Sequence, residues 1–451
     1  MTDIKANLQQ TLTAINCLTV YRRVFDDSVL KELNEVLRFT LADSPEAVKK
    51  CFSFIGSLLD LSGQGGLQEI DLYKNHLLDC LISDENAFSL VSEHENLDQI
   101  NGLLIKAVAS DLELLKKAYD LDLLQLMGYL EQKYDLAGFM PRFNNLNGNS
   151  ISPPGHPQYY FQKKALLKEI LAASGEWAAN IRNLHAYYRE TGSGIFGRYW
   201  AFKWQDDGVK RGLAGVQNPD PISLDDLVGY DDQKKEIVRN TRQFVNGQGA
   251  NNILLYGDRG TGKSSTIKSL VHIFGPEGLR VVEVSKHDLL SLHRITREVE
   301  GRTQKFIFFI DDLSFEESET EYKDLKALLE GSIEKPPPNV LVYATSNRRN
   351  LIREFFSDRD PDEIGRQDTY QEKLSMADRF GIKLVYSTPD QEAYLKTVKN
   401  MAKKNGIDLD EVKLSDLALK WALWQNSRSG RTARQFIDDL KGRLALSKPP
   451  E

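Results

Sequence analysis

Apolar residues recur every three or four positions through the first part of the chain. The stretches 30–37 and 112–118 are two examples, with leucine, valine or alanine at the repeating positions. This spacing places one apolar face along a helix. We therefore predict a mostly α-helical N-terminal domain over residues 1–205. A linker is predicted at 206–222, where Asn218-Pro219-Asp220-Pro221 favours a turn or loop.

A different pattern begins near residue 223, where short apolar runs alternate with stretches of helical spacing. We predict an α/β core with a parallel sheet over 223–389, followed by a small helical lid at 390–451. The run Lys305–Ile310 is almost unbroken in its apolar character, as expected of a strand buried on both faces. The other predicted strands are Asn252–Tyr256, Arg280–Val284, Asn339–Ala344 and Ile382–Tyr386. The predicted helices of the core are Asp231–Val245, His287–Val299 and Tyr322–Leu329.

Composition restricts the class of protein. Hydrophobic residues make up 41% of the 451 positions and charged residues 27%, which is ordinary for a globular protein. Acidic residues outnumber basic ones by 65 to 58, so the net charge of −7 argues against a globally basic nucleic-acid binder. We find no apolar run long enough to span a bilayer and no secretory signal.

The cysteines and histidines show no metal-ligand pattern in the sequence. Three cysteines, an odd and sparse set without an export signal, favour reduced thiols in the cytoplasm. The histidines of the N-terminal region are scattered, and we interpret each as structural or surface-exposed. They are His76, His94, His156 and His185.

A glycine-rich loop follows the strand predicted at Asn252–Tyr256 and precedes a stretch of helical spacing. Strand, loop and helix in this order form the context of a phosphate-binding P-loop. Glycines let the backbone N–H groups point at one anion, and the helix N-terminus adds its dipole. A lysine at the end of the loop can reach the β- and γ-phosphates, and the next hydroxyl can ligate Mg²⁺. The predicted residues are Gly257, Asp258, Arg259, Gly260, Thr261, Gly262, Lys263, Ser264 and Ser265.

Two aspartates follow the most apolar strand. Asp311 comes directly after Ile310 and is succeeded by Asp312. The carboxyl end of this strand is expected beside the P-loop, where Asp311 could hold Mg²⁺ together with Ser264. This is the Walker B arrangement. Another predicted strand lies between the two motifs in the chain, which resembles the additional-strand branch of P-loop ATPases, in which the adjacent acid polarises the attacking water.

Five segments together resemble AAA+ ATPases in order and spacing. They are the P-loop, the Walker B acids, Asn347 after the fourth strand, Arg379 before the fifth, and Arg434 in the last helix. The resemblance implies that Asn347 orients water or the γ-phosphate as sensor 1. It further implies that Arg379 acts as an arginine finger toward a neighbouring subunit and that Arg434 is sensor 2, with Arg431 as the alternative.

More narrowly, four segments resemble a bacterial AAA+ family, the DUF815 ATP-binding proteins. The resemblance implies ATP and Mg²⁺ as cofactors, with adenine beside Val228, Gly229 and Tyr230. Asp312 departs from the wider AAA+ pattern, in which the second acid is glutamate. Either the water is held differently, or Glu316 or Glu317 assists, or hydrolysis is slow. The four segments are 254–265, 311–316, 344–349 and 429–433.

Three functions are compatible with this pattern. We expect an ATPase that acts at subunit interfaces of a homo-oligomer and remodels or regulates an unidentified protein held by the helical N-terminal domain. The alternatives are a DNA-associated ATPase of the initiator or helicase-loader kind and a nucleotide-dependent switch with little turnover. The segment Val284–Leu290 lacks the aromatic and glycine residues of a peptide-threading loop. Basic residues of the tail alternate with acids, which favours a solvated face over a nucleic-acid patch.

Overall fold

The chain divides into two compact units, Met1–Tyr199 and Trp200–Glu451. The computed structural model describes residues 2–62, 69–136, 147–149, 158–206, 208, 211–314, 322–330, 337–347 and 376–446. In this part of the chain, no helix combines the length and the apolar character that crossing a bilayer requires.

The first unit is built of helices, as the apolar spacing predicts. One short antiparallel pair joins β1 (Glu69–Asp71) to β2 (Asn147–Asn149). Single 3₁₀ turns lie at Val24–Asp26 and Ala178–Asn180. The α-helices of this unit are α1 (Thr2–Asn16), α2 (Ser28–Leu41), α3 (Glu46–Ser62), α4 (Leu72–Ser83), α5 (Ala87–Ser92), α6 (Gly102–Tyr119), α7 (Leu123–Lys133), α8 (Gln158–Ala173), α9 (Ile181–Thr191) and α10 (Gly194–Arg198).

Helix α2 illustrates how this unit forms. Asp27 precedes the helix, and its carboxylate accepts hydrogen bonds from the backbone N–H groups of Val29 and Leu30 at 2.9 and 3.2 Å. These bonds satisfy donors that a helix start leaves without partners. Leu33 and Leu37 are fully buried on the predicted apolar face, so the helical pattern of this stretch is confirmed.

The second unit contains a seven-stranded sheet with the order β4-β3-β6-β7-β8-β5-β9. All neighbours in this sheet are parallel except β3 and β4, which form an antiparallel pair. The acid-bearing β7 is separated from the P-loop strand β5 by β8, as in the additional-strand arrangement. The strands are β3 (Ala201–Asp206), β4 (Arg211–Gly215), β5 (Ile253–Gly257), β6 (Leu279–Glu283), β7 (Lys305–Ile310), β8 (Val340–Ser346) and β9 (Ile382–Tyr386).

Helices cover the sheet and explain why its central strands are uniformly apolar. Side chains of β5 and β7 pack with those of α12 in one buried cluster that includes Leu255, Phe309 and Leu270. The predicted α/β class with a parallel sheet is confirmed. The core helices are α11 (Asp231–Val245), α12 (Lys263–Phe274), α13 (Leu292–Val299) and α14 (Tyr322–Glu330).

Three further helices, α15 (Gln391–Lys404), α16 (Glu411–Trp424) and α17 (Gly430–Leu446), follow β9. They have a hydrophobic cluster of their own, with Tyr394 and Val398 fully buried against Phe436 and Ile437. This is the small helical lid expected at the end of the chain.

The structure differs from the sequence-based expectation at the start of the second unit. The range 206–222 was predicted as a linker after an N-terminal domain ending at 205, yet Trp200 already belongs to the second unit and β3 and β4 form a hairpin at the sheet edge. The linker was inferred from Asn218-Pro219-Asp220-Pro221, which follows the hairpin and does not extend back into it. The predicted helix His287–Val299 begins later, because Lys286–Ser291 forms a 3₁₀ helix ahead of α13.

Candidate functional site

The loop between β5 and α12 has the backbone conformation that its glycines permit. Gly257 has φ +134° and Gly262 has φ +95°, values that other L-residues rarely adopt. A Cβ on Gly257 would lie 2.1 Å from the carbonyl oxygen of Tyr386 in β9. Glycine is therefore required there both by conformation and by the close approach of the neighbouring strand.

Lys263 begins α12 and turns its side chain back toward the loop. Its Nζ donates to the carbonyl oxygens of Gly257 and Asp258 at 2.9 and 2.6 Å, and to Oδ1 of Asn347 at 3.1 Å. The residue is only 6% exposed. Burial lowers the pKa of Lys263, while nearby acidic side chains, Asp258 first among them, act in the opposite direction. The result is a partly dehydrated ammonium group held at the loop by carbonyl oxygens.

Asp311 lies at the carboxyl end of β7, beside the start of α12. Its Oδ1 accepts hydrogen bonds from the hydroxyls of Ser264 and Thr345, both at 2.6 Å. Thr345 in turn accepts from the backbone N–H of Asp312 at 2.9 Å. The ends of β7 and β8 are thus joined by one hydroxyl, and the two groups predicted to ligate a metal are in direct contact.

Asn347 connects the lysine to the second acid. Its Oδ1 accepts from Lys263, and its Nδ2 donates to Oδ1 of Asp312 at 2.5 Å. These two hydrogen bonds orient the Asn347 amide with its oxygen toward Lys263 and its nitrogen toward Asp312. Asp312 itself is exposed and has φ +52°, in the left-handed region that Asp and Asn tolerate better than most residues.

These groups surround a cavity of about 600 Å³, a volume in the range of small-molecule sites. Most of the predicted site residues line this cavity. The exceptions are Gly229, Gly257, Asp258 and Arg379. The predicted residues that line it are Val228, Tyr230, Arg259, Gly260, Thr261, Gly262, Lys263, Ser264, Ser265, Asp311, Asp312, Asn347, Arg431 and Arg434.

The lid closes one side of the cavity. Arg431 and Arg434 of α17 both line it and are exposed, so the structure does not choose between the two candidates for sensor 2. Ser429 packs against the P-loop so closely that a Cβ on Gly260 would lie 2.7 Å from its Oγ. Arg379 lies three residues before β9 and is partly buried.

Tyr230 forms another wall of the cavity. Its ring stacks on that of Tyr386 with centroids 4.6 Å apart and 29° between the planes, and its hydroxyl donates to the carbonyl oxygen of Ser387 at 2.5 Å. Burial raises the pKa of Tyr230 to about 12. The phenol is therefore neutral at physiological pH, and the ring is held in place by β9.

The sequence analysis missed a link between the P-loop and the start of the lid. The Asp258 carboxylate accepts hydrogen bonds from the backbone N–H and the hydroxyl of Thr388 at 2.7 and 2.5 Å. These bonds lower the pKa of Asp258. Thr388 follows the predicted strand Ile382–Tyr386 by two residues, but no motif marks it. Further unpredicted lining residues are Ile222, Asp226, Leu227, Thr345, Pro389, Thr397, Met401 and Gly430.

Glu316 and Glu317, the acids considered as helpers of Asp312, lie outside the described residues, as do positions 348 and 349 of the resemblance to the bacterial family. The role of these side chains stays a prediction.

Comparison with solved structures gives partial matches. The Thermotoga maritima RuvB Holliday junction branch migration motor matches with a TM-score of 0.36 and 16% identity, over 50% of this chain and 66% of that chain. The FIGL-1 AAA domain in complex with ADP matches with a TM-score of 0.32 and 18% identity, over 44% of this chain and 66% of that chain. No curated protein matches the sequence.

A protein family matches the second unit almost in full. The match extends over residues 197–444, from the start of the sheet to the end of the lid, and it covers more than half of the chain. The chain therefore belongs to the family described as "Protein of unknown function (DUF815)".

Proposed function

We propose that this protein binds ATP together with Mg²⁺ and hydrolyses it at the interface between identical subunits. The observation that carries the proposal is the meeting of Lys263, Ser264, Asp311, Asp312 and Asn347 at one cavity, joined by hydrogen bonds of 2.5–3.1 Å. These residues come from three separate segments of the chain. Their combination supplies a cation for phosphates, oxygen ligands for a metal and polar groups for water.

The P-loop supports phosphate binding. An ammonium partly stripped of water by burial gains more from a nearby anion than an exposed one does, because the local dielectric constant is lower. Lys263 has this environment, and the N-terminus of α12 adds its dipole at the same place. Gly260 and Gly262 allow the backbone to bring N–H groups toward the anion.

Ser264 and Asp311 fit a magnesium site. Both offer the hard oxygen ligands that Mg²⁺ prefers, and they are already in contact at 2.6 Å. When bound, the ion would neutralise charge that develops on the phosphates during transfer.

Asp312 and Asn347 support a role in positioning the attacking water. The Asp312 carboxylate is exposed at the cavity and can accept a proton, while Asn347 holds it through Nδ2. Arg434, or Arg431 one turn earlier, would contact the γ-phosphate from the lid. Arg379 is not among the described residues that line this cavity, and we propose that it acts on the nucleotide of a neighbouring subunit.

The lining of the cavity supports the binding of a nucleotide base. Val228 and Tyr230 line the cavity beside Met401 of the lid and offer an apolar and aromatic surface to a base.

We further propose that the helical N-terminal unit holds a protein partner that the ATPase cycle remodels or regulates.

A switch with little turnover is the second candidate. It is favoured by Asp312, whose side chain is one methylene shorter than glutamate and is already hydrogen-bonded to Asn347. In such a switch, ATP would bind and change the lid position without rapid hydrolysis.

The test measures ATP binding by calorimetry and phosphate release with Mg²⁺, for wild type and Lys263→Ala. We expect wild type to bind and hydrolyse ATP, and the variant to bind ATP at least ~30-fold more weakly and to lose hydrolysis. Binding without hydrolysis in wild type would favour the switch. Absence of ATP binding by folded wild type would refute the proposal.

A further inference from the structure

A second group of chemically reactive side chains lies in the N-terminal unit, apart from the P-loop. His76 and Cys80 are one helical turn apart on α4, so their side chains share a face. Asp27, which precedes α2, reaches the same place. The potential ligand atoms of these three residues all lie within 4.8 Å of one another. Among the described residues, it is the one group of three or more His, Cys, Asp or Glu with this spacing.

The distances agree with a tetrahedral metal site. Sγ of Cys80 lies 3.5 Å from Nε2 of His76. Around a tetrahedral zinc ion with ordinary bond lengths, a sulfur and a nitrogen ligand are also about 3.5 Å apart. Oδ1 of Asp27 lies 2.8 Å from Nε2 of His76, which is a hydrogen-bond distance. That distance would open by about half an ångström around a metal ion.

The environment leaves the group accessible, and the cations near Cys80 are Lys164 and Arg198. The side chains of His76 and Asp27 are 16% and 30% exposed, so an ion and a water molecule can reach them. The neighbouring Lys164 and Lys168 are ion-paired with Asp79. These ion pairs reduce the positive charge that would repel a bound metal cation.

Helix capping explains only part of this arrangement. Oδ1 of Asp27 accepts from the backbone of Val29 and Leu30, which would justify an aspartate here without His76 or Cys80. Capping gives no reason for an imidazole and a thiol to meet beside it. Oxygen, nitrogen and sulfur donors together are typical of sites for zinc and neighbouring transition metals, whereas Mg²⁺ prefers oxygen alone.

We infer that Asp27, His76 and Cys80 form a site for a divalent transition metal, with Zn²⁺ as the ion that these donors select. The fourth position is left to solvent. Because the ligands come from α4 and from the start of α2, the ion would link the two helices and stabilise the folded N-terminal unit. This inference is independent of the proposed ATPase activity.

The test measures Zn²⁺ binding to the full chain, free of nucleotide, in competition with a chelating dye. Excess Mg²⁺ is present so that the acids of the P-loop site do not compete for zinc. The variants are Cys80→Ser, which removes the sulfur ligand, and Asp27→Asn, which keeps a good helix cap but weakens the oxygen ligand. Cys17→Ser is the matched control, since Cys17 is an exposed thiol outside the group.

We expect one zinc ion per chain in wild type and Cys17→Ser, and binding at least ~100-fold weaker in Cys80→Ser. Asp27→Asn should also bind more weakly while keeping its helical circular dichroism. Cobalt should give a thiolate charge-transfer band in wild type that Cys80→Ser lacks. Equal zinc affinity in wild type, Cys80→Ser and Asp27→Asn would overturn the inference, as would loss of binding in Cys17→Ser alone.

Discussion

Replacing Asp312 by asparagine tests the assignment of the water-activating group with little disturbance of the structure. The position has φ +52°, and asparagine tolerates the left-handed region as well as aspartate does. The substituted amide keeps an oxygen that can accept from Nδ2 of Asn347. We therefore expect Asp312→Asn to fold with a stability close to that of wild type.

The expected effect on turnover is large by comparison. Removal of a general base lowers the rate by about 10²- to 10⁴-fold, or roughly 3–5 kcal/mol of barrier height. ATP binding should change little, because Lys263 and Ser264 are unchanged. The assay is single-turnover phosphate release at saturating ATP, with calorimetry to measure affinity separately. Turnover by Asp312→Asn within about twofold of wild type would refute the role of this carboxylate.

Asp312→Glu provides the matched control. Glutamate restores the acid that AAA+ proteins generally carry here, but it disfavours the left-handed backbone by about 1 kcal/mol. We expect this variant to retain hydrolysis with a slightly lower free energy of unfolding. Loss of turnover in Asp312→Glu as complete as in Asp312→Asn, with binding intact, would contradict a role based on the acid alone.

Other substitutions test the rest of the site. Lys263→Ala should weaken ATP binding at least ~30-fold, or about 2 kcal/mol, by calorimetry, and unchanged affinity would contradict its phosphate role. Gly257→Ala should lower the free energy of unfolding by at least about 2 kcal/mol in urea, because its Cβ would lie 2.1 Å from the Tyr386 carbonyl oxygen. Thr388→Val should raise the pKa of Asp258 toward its usual value by NMR titration, since Thr388 lowers it. In wild type this stabilising link is present above the usual carboxyl pKa and lost as pH falls through the lowered value. An unshifted Asp258 titration would show that the hydroxyl does not contribute.

Several elements of the second unit are predicted well by the sequence. The strands Lys305–Ile310 and Ile382–Tyr386 and the helix Asp231–Val245 are confirmed at their predicted bounds. The strand Lys305–Ile310 is a buried apolar run that ends at Asp311, so local pattern and tertiary burial agree there. The hairpin of β3 and β4 was missed because its place depends on pairing between Ala201 and Val281, far apart in the chain.

The candidate site also contains some residues that local sequence patterns predict and others that depend on tertiary packing. Local motifs predict Lys263, Ser264 and Asp311, and all three line the cavity. Thr388 and the φ of Asp312 depend on how strands and lid pack, which spacing does not encode. The group formed by Asp27, His76 and Cys80 was missed for the same reason, because Asp27 is remote in sequence from the other two residues.

The central claim is that hydrolysis takes place between subunits. It is tested most directly by ATP turnover per chain, measured against protein concentration for wild type and Arg379→Ala. We predict that wild-type turnover rises with concentration and that the variant binds ATP but loses this rise. Turnover that is independent of concentration, and equal in the two proteins, would contradict the account.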